Sequence, residues 1–214
     1  MKLIKEITES VNYLTEEKDG KKTLYIEGPF LVSEKTNKNN RMYKEDTMRK
    51  EVQRYTEEYI NKNRAFGELG HPDTPSINLD RVSHLNVSLR QEGNVWIGKA
   101  KILETPMGNI ARSLIEGGAS LGVSSRGMGS LKTINGINIV QDDFYLATAA
   151  DIVADPSAPG AFVQGIMEGK DWMLVDNVWT EMHYEQAKHQ IRKASQKDIE
   201  QVSLNIFENF LKKL

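Results

Sequence analysis

The sequence contains no cysteine. That removes disulfide scaffolds, cysteine-ligated zinc, iron–sulfur clusters and thiol catalysis together, and it points away from an oxidising compartment. No run approaches the ~18 consecutive apolar residues that span a bilayer. The start, Met1-Lys-Leu-Ile-Lys-Glu-Ile-Thr-Glu-Ser10, interrupts its apolar stretch with Lys5, Glu6 and Glu9 and does not read as a signal peptide. Neither sign of charge dominates: 28 Lys and Arg stand against 30 Asp and Glu, a formal net charge of −2. No global field draws such a molecule onto nucleic acid or an anionic membrane. What is present is 39% hydrophobic and 27% charged residues over 214 positions, the balance of a soluble globular chain with one medium domain and a small appendage. Its chemistry must come from hydroxyls, imidazoles and carboxylates.

Patterning divides the chain into three stretches. Residues 1–20 are polar and mixed in charge, a weakly structured lead-in ending at the Asp19-Gly20 turn. From 21 to 168 short strand signals dominate. They lie at 23–28 with a break at Gly28-Pro29, at 82–89 and 94–102 around a Glu92-Gly93-Asn94 turn, at 119–123, beside Asn135-Gly136, and at 144–153. Two helices interrupt them. One opens at Glu45 or Asp46 and carries Met48, Val52, Tyr55 and Tyr59 on a single stripe. The other has Thr105 as N-cap, Pro106 in its first turn and Gly117 at its end. From 169 the pattern changes. Val202, Ile206, Phe210 and Leu214 recur every four residues, which reads as a C-terminal amphipathic helical tail.

Three positions carry candidate chemistry. His71 is locked between Gly70 and Pro72 in a loop with two glycines and two prolines, Phe66 to Pro75. Such a rigid loop can hold a site, or can be a tight turn alone. Ser124 sits in Gly122-Val-Ser-Ser-Arg-Gly127, read as a loop after a strand, where small neighbours admit a substrate backbone. Backbone N–H groups of 124–127 and Arg126 are then available to an oxyanion, and a histidine is the usual base for such a hydroxyl. Ser125 is the alternative nucleophile, and the crowd of glycines from 117 to 129 leaves a phosphate cradle open. The spacing is that of neither a P-loop nor a G-x-S-x-G elbow. Asp151 interrupts the apolar strand Ala149-Ala-Asp-Ile-Val-Ala154. A carboxylate there either turns to water or is held by a partner such as a histidine N–H. Of the other histidines, His84 alternates within a strand and reads as a packed or surface residue rather than a catalyst. His183 and His189, six apart, fall on different faces of the tail and do not share a metal.

Gly67-Glu-Leu-Gly-His-Pro72, Gly122-Val-Ser-Ser-Arg-Gly-Met-Gly-Ser130 and Asp151-Ile-Val-Ala-Asp-Pro-Ser-Ala-Pro159 occur in this order. They resemble the corresponding segments of the prohead core proteases of T-even-like tailed phages. Leu24-Tyr-Ile-Glu-Gly28 and Asn37-Lys-Asn-Asn-Arg-Met-Tyr43 are similar to that family too, so the likeness spans roughly residues 23–165. It implies an α+β fold like the herpesvirus assemblin-type serine proteases, a small β-barrel core surrounded by helices. It implies a serine endopeptidase without metal or cofactor. His71 matches the family's histidine, Ser124 its nucleophile and Asp151 its acidic position, with Ser125, Arg126 and Gly127 left for oxyanion or substrate contacts. The implied partners are phage scaffold and core proteins and the precursor of the major capsid protein, met inside the immature capsid in the host cytoplasm. The chain itself is expected to be a homo-oligomer, with no nucleic-acid or membrane partner.

Cleavage by such a family follows Glu in Leu/Ile-x-Glu. Ile166-Met-Glu168, followed by Gly169, matches next to the tail, and Leu114-Ile-Glu116 matches within the core. The chain is therefore expected to be a zymogen that removes residues 169–214 itself. Lys35, Lys38 and Arg41 are basic residues available to read the substrate glutamate, without anything to select among them. The competing function is a non-enzymatic core or scaffold protein that binds capsid precursors through the tail stripe.

Overall fold

The structure is a computed structural model that describes residues 2–8, 12–18, 21–154, 171–175 and 178–182. The chain divides into two compact units, Met1–Gln164 and Gly165–Leu214. The first unit opens with strands β1 (Lys2–Thr8), β2 (Asn12–Lys18), β3 (Lys21–Val32) and β4 (Arg41–Tyr43). Helix α1 (Glu45–Tyr55) runs on into a π turn at Thr56–Ile60. Then come β5 (Phe66–Glu68), a 3-10 turn (Leu79–Arg81), β6 (Val82–Glu92), β7 (Val95–Ile102) and α2 (Pro106–Glu116). The unit continues with β8 (Gly122–Gly129), β9 (Leu131–Ile134), β10 (Ile137–Val140) and β11 (Tyr145–Val153). In the second unit β12 (Asp171–Val175) and β13 (Val178–Met182) pair as an antiparallel hairpin.

The mixed helix and strand class agrees with the pattern; the closed barrel does not. The first unit holds separate sheets: five strands in the order β2-β3-β7-β6-β5, three in the order β1-β8-β11, and three in the order β4-β10-β9. Between β5 and β11 the link is a single bridge, Leu69 to Ile152, not a ladder, so no barrel closes. The lead-in expected over 1–20 contains two strands instead. β1 lays Ile4 into the core beside β8, and Lys5 and Glu6, whose charge suggested a lead-in, belong to a strand at the edge of its sheet. The tail expected to be helical from 169 starts with the β12–β13 hairpin. The helical stripe at 202–214, together with His183 and His189, lies outside the described residues.

Local signals fix most of the other elements. Thr105 caps α2 by accepting from Gly108 N–H at 3.1 Å, and Pro106 opens it. Met48, Val52 and Tyr55 of α1 are buried, as their stripe requires. The break expected at Gly28-Pro29 is a bulge within one continuous strand, since the β3–β7 register shifts between Pro29 and Leu31. Proline is tolerated inside a sheet at such a point, because a bulge has no ladder donor to lose. Phe30 fills the space above Gly98, where a Cβ would lie 2.0 Å from its ring.

Candidate active site

Ser124 and Asp151 face each other because β11 carries extra residues. β8 is the middle strand of its sheet, and Ser124 pairs with Ile7 of β1 on one side and Asp151 of β11 on the other. Thr148 is opposite Arg126, yet Asp151, three residues on, is opposite Ser124, two residues back. That is a one-residue bulge, and it reverses the face on which every later side chain of β11 points. A regular ladder would turn Asp151 away from Ser124. The loop expected at 124–130 is therefore mostly strand, and a glycine cradle for phosphate has no loop to form on.

His71 arrives from the other sheet. β5 ends at Glu68, and Leu69 N–H donates to Arg81 carbonyl at 3.0 Å while Gly70 N–H donates to Ile152 carbonyl at 2.8 Å. Gly70 has φ +83°, a turn that L side chains rarely adopt, and it swings the next residue over β11. His71 Nδ1 then lies 3.2 Å from Asp151 Oδ2, and Nε2 lies 3.2 Å from Ser124 Oγ. With Nδ1–H donating to the carboxylate, Nε2 is left as the acceptor for the serine hydroxyl. Burial alone would push the Asp151 carboxyl up. The hydrogen bond from His71 and the Arg126 guanidinium outweigh it and hold the group below its ordinary range.

Beneath this chain of three lies a buried ion cluster. The Arg126 side chain has no exposed surface. Its Nε lies 2.5 Å from Asp151 Oδ2, and one Nη lies 3.2 Å from Asp151 Oδ1 and 3.0 Å from Glu68 Oε2. The other donates to the Thr74 carbonyl at 2.6 Å and reaches the Ser76 carbonyl at 3.4 Å. Asp151 Oδ1 also accepts Glu68 N–H at 2.9 Å, and Glu68 accepts Asn78 N–H. Arg126, expected among oxyanion contacts, is instead committed beneath the site. Ser125 points to the opposite face of β8 from Ser124, and a Cβ on Gly127 would stand 2.5 Å from the Phe144 ring. None of these three lies in the loop expected from the glycines, because β8 is paired on both sides.

A family model described as prohead core protein serine protease matches residues 5–171. The chain belongs to that family. Among prohead core proteases, the prohead core protein protease of Enterobacteria phage T4 is 36% identical over 143 residues, 65% of this chain and 68% of the phage protein. The structure of the bacteriophage T4 capsid assembly protease superposes with a TM-score of 0.65 at 30% identity, covering 71% of this chain and 97% of that one.

In this prohead core protease a second serine–histidine pair lies nearby and is sealed. His84 Nδ1 is 2.8 Å from Ser83 Oγ and its Nε2 is 2.9 Å from the Ala150 carbonyl, with both side chains buried. It ties β6 to the bulge before Asp151, so of the packed and surface positions its strand pattern left open, the fold selects the packed one. Burial pushes the His84 pKa down from 6.5 to about 4. The native protein thus holds it neutral where the unfolded chain takes up a proton. Its contribution is complete above about pH 6.5 and is lost as pH falls toward 4, costing about 3 kcal/mol by pH 4. Chemical denaturation from pH 7 to 4 is expected to show this fall, and His84→Asn, though less stable overall, is expected to lose that part of the slope. Lys35 and Lys38 lie in the approach to β4 and Arg41 is its first residue, in the third sheet; none of them belongs to the His71 loop. Glu68 was missed. It stood inside the Gly67–Pro72 motif, but only the fold shows it buried against an arginine.

Proposed function

We propose that this chain is the endopeptidase that processes phage scaffold and core proteins and the capsid-shell precursor inside the immature capsid, in the host cytoplasm. The hydrogen-bonded series Asp151, His71, Ser124 carries the reading. Ser124 Oγ attacks the scissile carbonyl as His71 Nε2 takes its proton, and Asp151 stays ionised to stabilise the imidazolium. Collapse of the tetrahedral intermediate breaks the C–N bond, and the proton goes to the leaving amine. Water, deprotonated by the same imidazole, then hydrolyses the acyl ester and frees Ser124. A pure scaffold needs no histidine aligned on a serine, so the non-enzymatic alternative has no support from this site.

The test is a covalent trap. A diaryl phosphonate carrying an Ile-x-Glu recognition sequence is expected to add one adduct per chain, mapped to Ser124. An adduct on Ser125, or none under conditions where protein substrate is cut, overturns the assignment.

Cleavage after Glu in Leu/Ile-x-Glu extends to the chain itself. The boundary between the two units falls between Gln164 and Gly165, and Ile166-Met-Glu168 follows directly. The other match, Leu114-Ile-Glu116, is the last turn of α2, and a helix must unwind before it can lie extended in a protease cleft. In the intact chain Ser124 has no exposed surface, which supports reading it as a zymogen. Mass spectrometry of assembled particles is expected to find a new C-terminus at Glu168, absent with Glu168→Ala. An intact chain in mature particles removes the zymogen reading.

A further inference from the structure

We propose that Glu68 is a positioning residue: it neutralises Arg126 so that the charge of Asp151 remains available to His71, and it fastens the loop that presents His71. The inference rests on the Ser124–His71–Asp151 reading and extends it below the reacting atoms.

Charge counting under the site leads to it. Arg126 and Asp151 both lie fully buried and in contact. Taken alone they cancel, and a cancelled aspartate gives an incoming imidazolium little net attraction. Glu68, also fully buried and 3.0 Å from the guanidinium, makes the cluster two carboxylates on one cation. Burial pushes the Glu68 carboxyl up and Arg126 opposes that; with both carboxylates ionised the net charge is −1, and proton transfer from Ser124 to His71 brings it to zero. Other titratable groups face the cluster from the neighbouring elements. From β6, His84 is held neutral at working pH. From the 3-10 turn, Arg81 is exposed and donates to the Leu69 carbonyl at 2.8 Å, outside the buried cluster. Asp73 lies on the His71 loop itself, two residues past the imidazole.

The same carboxylate fixes the loop. Glu68 accepts Asn78 N–H while Arg126 binds the carbonyls of Thr74 and Ser76. The segment between β5 and the 3-10 turn is thereby held at three points by one ion pair, and His71 is carried within it. An apolar pair of similar volume would fill the space and hold none of these backbone groups.

The experiment uses full-length protein and an Ile-x-Glu peptide, with kcat and kcat/KM measured across pH for the unsubstituted enzyme, Glu68→Gln and Glu68→Asp. Ser124→Ala is the reference for the underlying reading: if it still turns over, that reading fails and the inference built on it falls with it. With Ser124→Ala inactive, Glu68→Gln is expected to lower kcat ~10- to 100-fold with KM within about twofold. The acid limb of kcat/KM is expected to move down by about one pH unit, the effect of one charge at this range. Glu68→Asp keeps the charge and is expected to keep the acid limb in place. An unmoved limb in Glu68→Gln, or the same displacement in Glu68→Asp, overturns the inference. Should neither variant fold, carbon-13 NMR of side-chain carboxyl-labelled glutamate in the unsubstituted chain decides. Glu68 is expected to be ionised throughout the pH range of full activity, and a carboxyl still protonated there overturns the proposal.

Discussion

Ser124→Ala is expected to lower kcat/KM on an Ile-x-Glu peptide by ~10⁴-fold or more while leaving the protein folded. The size follows from the unit character of a hydroxyl and its base: removing the nucleophile removes covalent catalysis outright, and what survives is transition-state binding. Stability is expected to change little. The substitution deletes one 3.2 Å hydrogen bond to His71 and one oxygen, about 1 kcal/mol, in a strand whose ladders stay intact. A melt within a few degrees of the unsubstituted protein, together with lost cleavage, separates chemistry from folding. Ser125→Ala is the control. Ser125 faces the other side of β8, and its alanine variant is expected to keep activity within about threefold. The reverse pattern moves the nucleophile to Ser125 and breaks the account, because neither His71 nor His84, the histidines among the described residues, is placed to activate it.

Gly67→Ala is expected to have the largest effect on stability, about 4 kcal/mol or more. A Cβ there would stand 2.1 Å from His84 Nε2 and 2.3 Å from the Ala150 carbonyl oxygen. Neither can yield cheaply. His84 is buried and bonded at both ring nitrogens, and Ala150 belongs to the bulge that turns Asp151 toward Ser124. The added methyl must push β5 from β11, and with them His71 from Asp151. Against a total stability of ~5–15 kcal/mol, such a loss removes most of the folded population. Urea denaturation measures it. Gly93→Ala, at φ +62° with open space around it, is the comparison and is expected to cost about 1 kcal/mol. Equal losses at both positions contradict the close-contact explanation.

How much of this was legible depends on the range of the interaction that decides it. Helix α2 was readable from Thr105, Pro106 and Gly117, because capping acts within four residues. The β6–β7 hairpin was readable from Gly93 and alternation for the same reason. β1 was not, since Lys5 and Glu6 look like a polar lead-in until a neighbouring strand makes them the rim of a sheet. The stretch 124–130 was misread as a loop because its glycines suit turns. In the fold, Gly127 is small to admit Phe144, a partner seventeen positions away whose packing no local rule reports.

The order of motifs and the identities of His71, Ser124 and Asp151 were determined by the sequence alone, because a side chain's chemistry belongs to its residue. Their meeting was decided by tertiary structure. It took a bulge in β11 to bring Asp151 round to Ser124, a left-handed Gly70 to lead His71 across from the other sheet, and Glu68 buried on Arg126 to balance the charge. Each of these depends on distance and desolvation between segments far apart in the chain, quantities that exist only once the chain has folded.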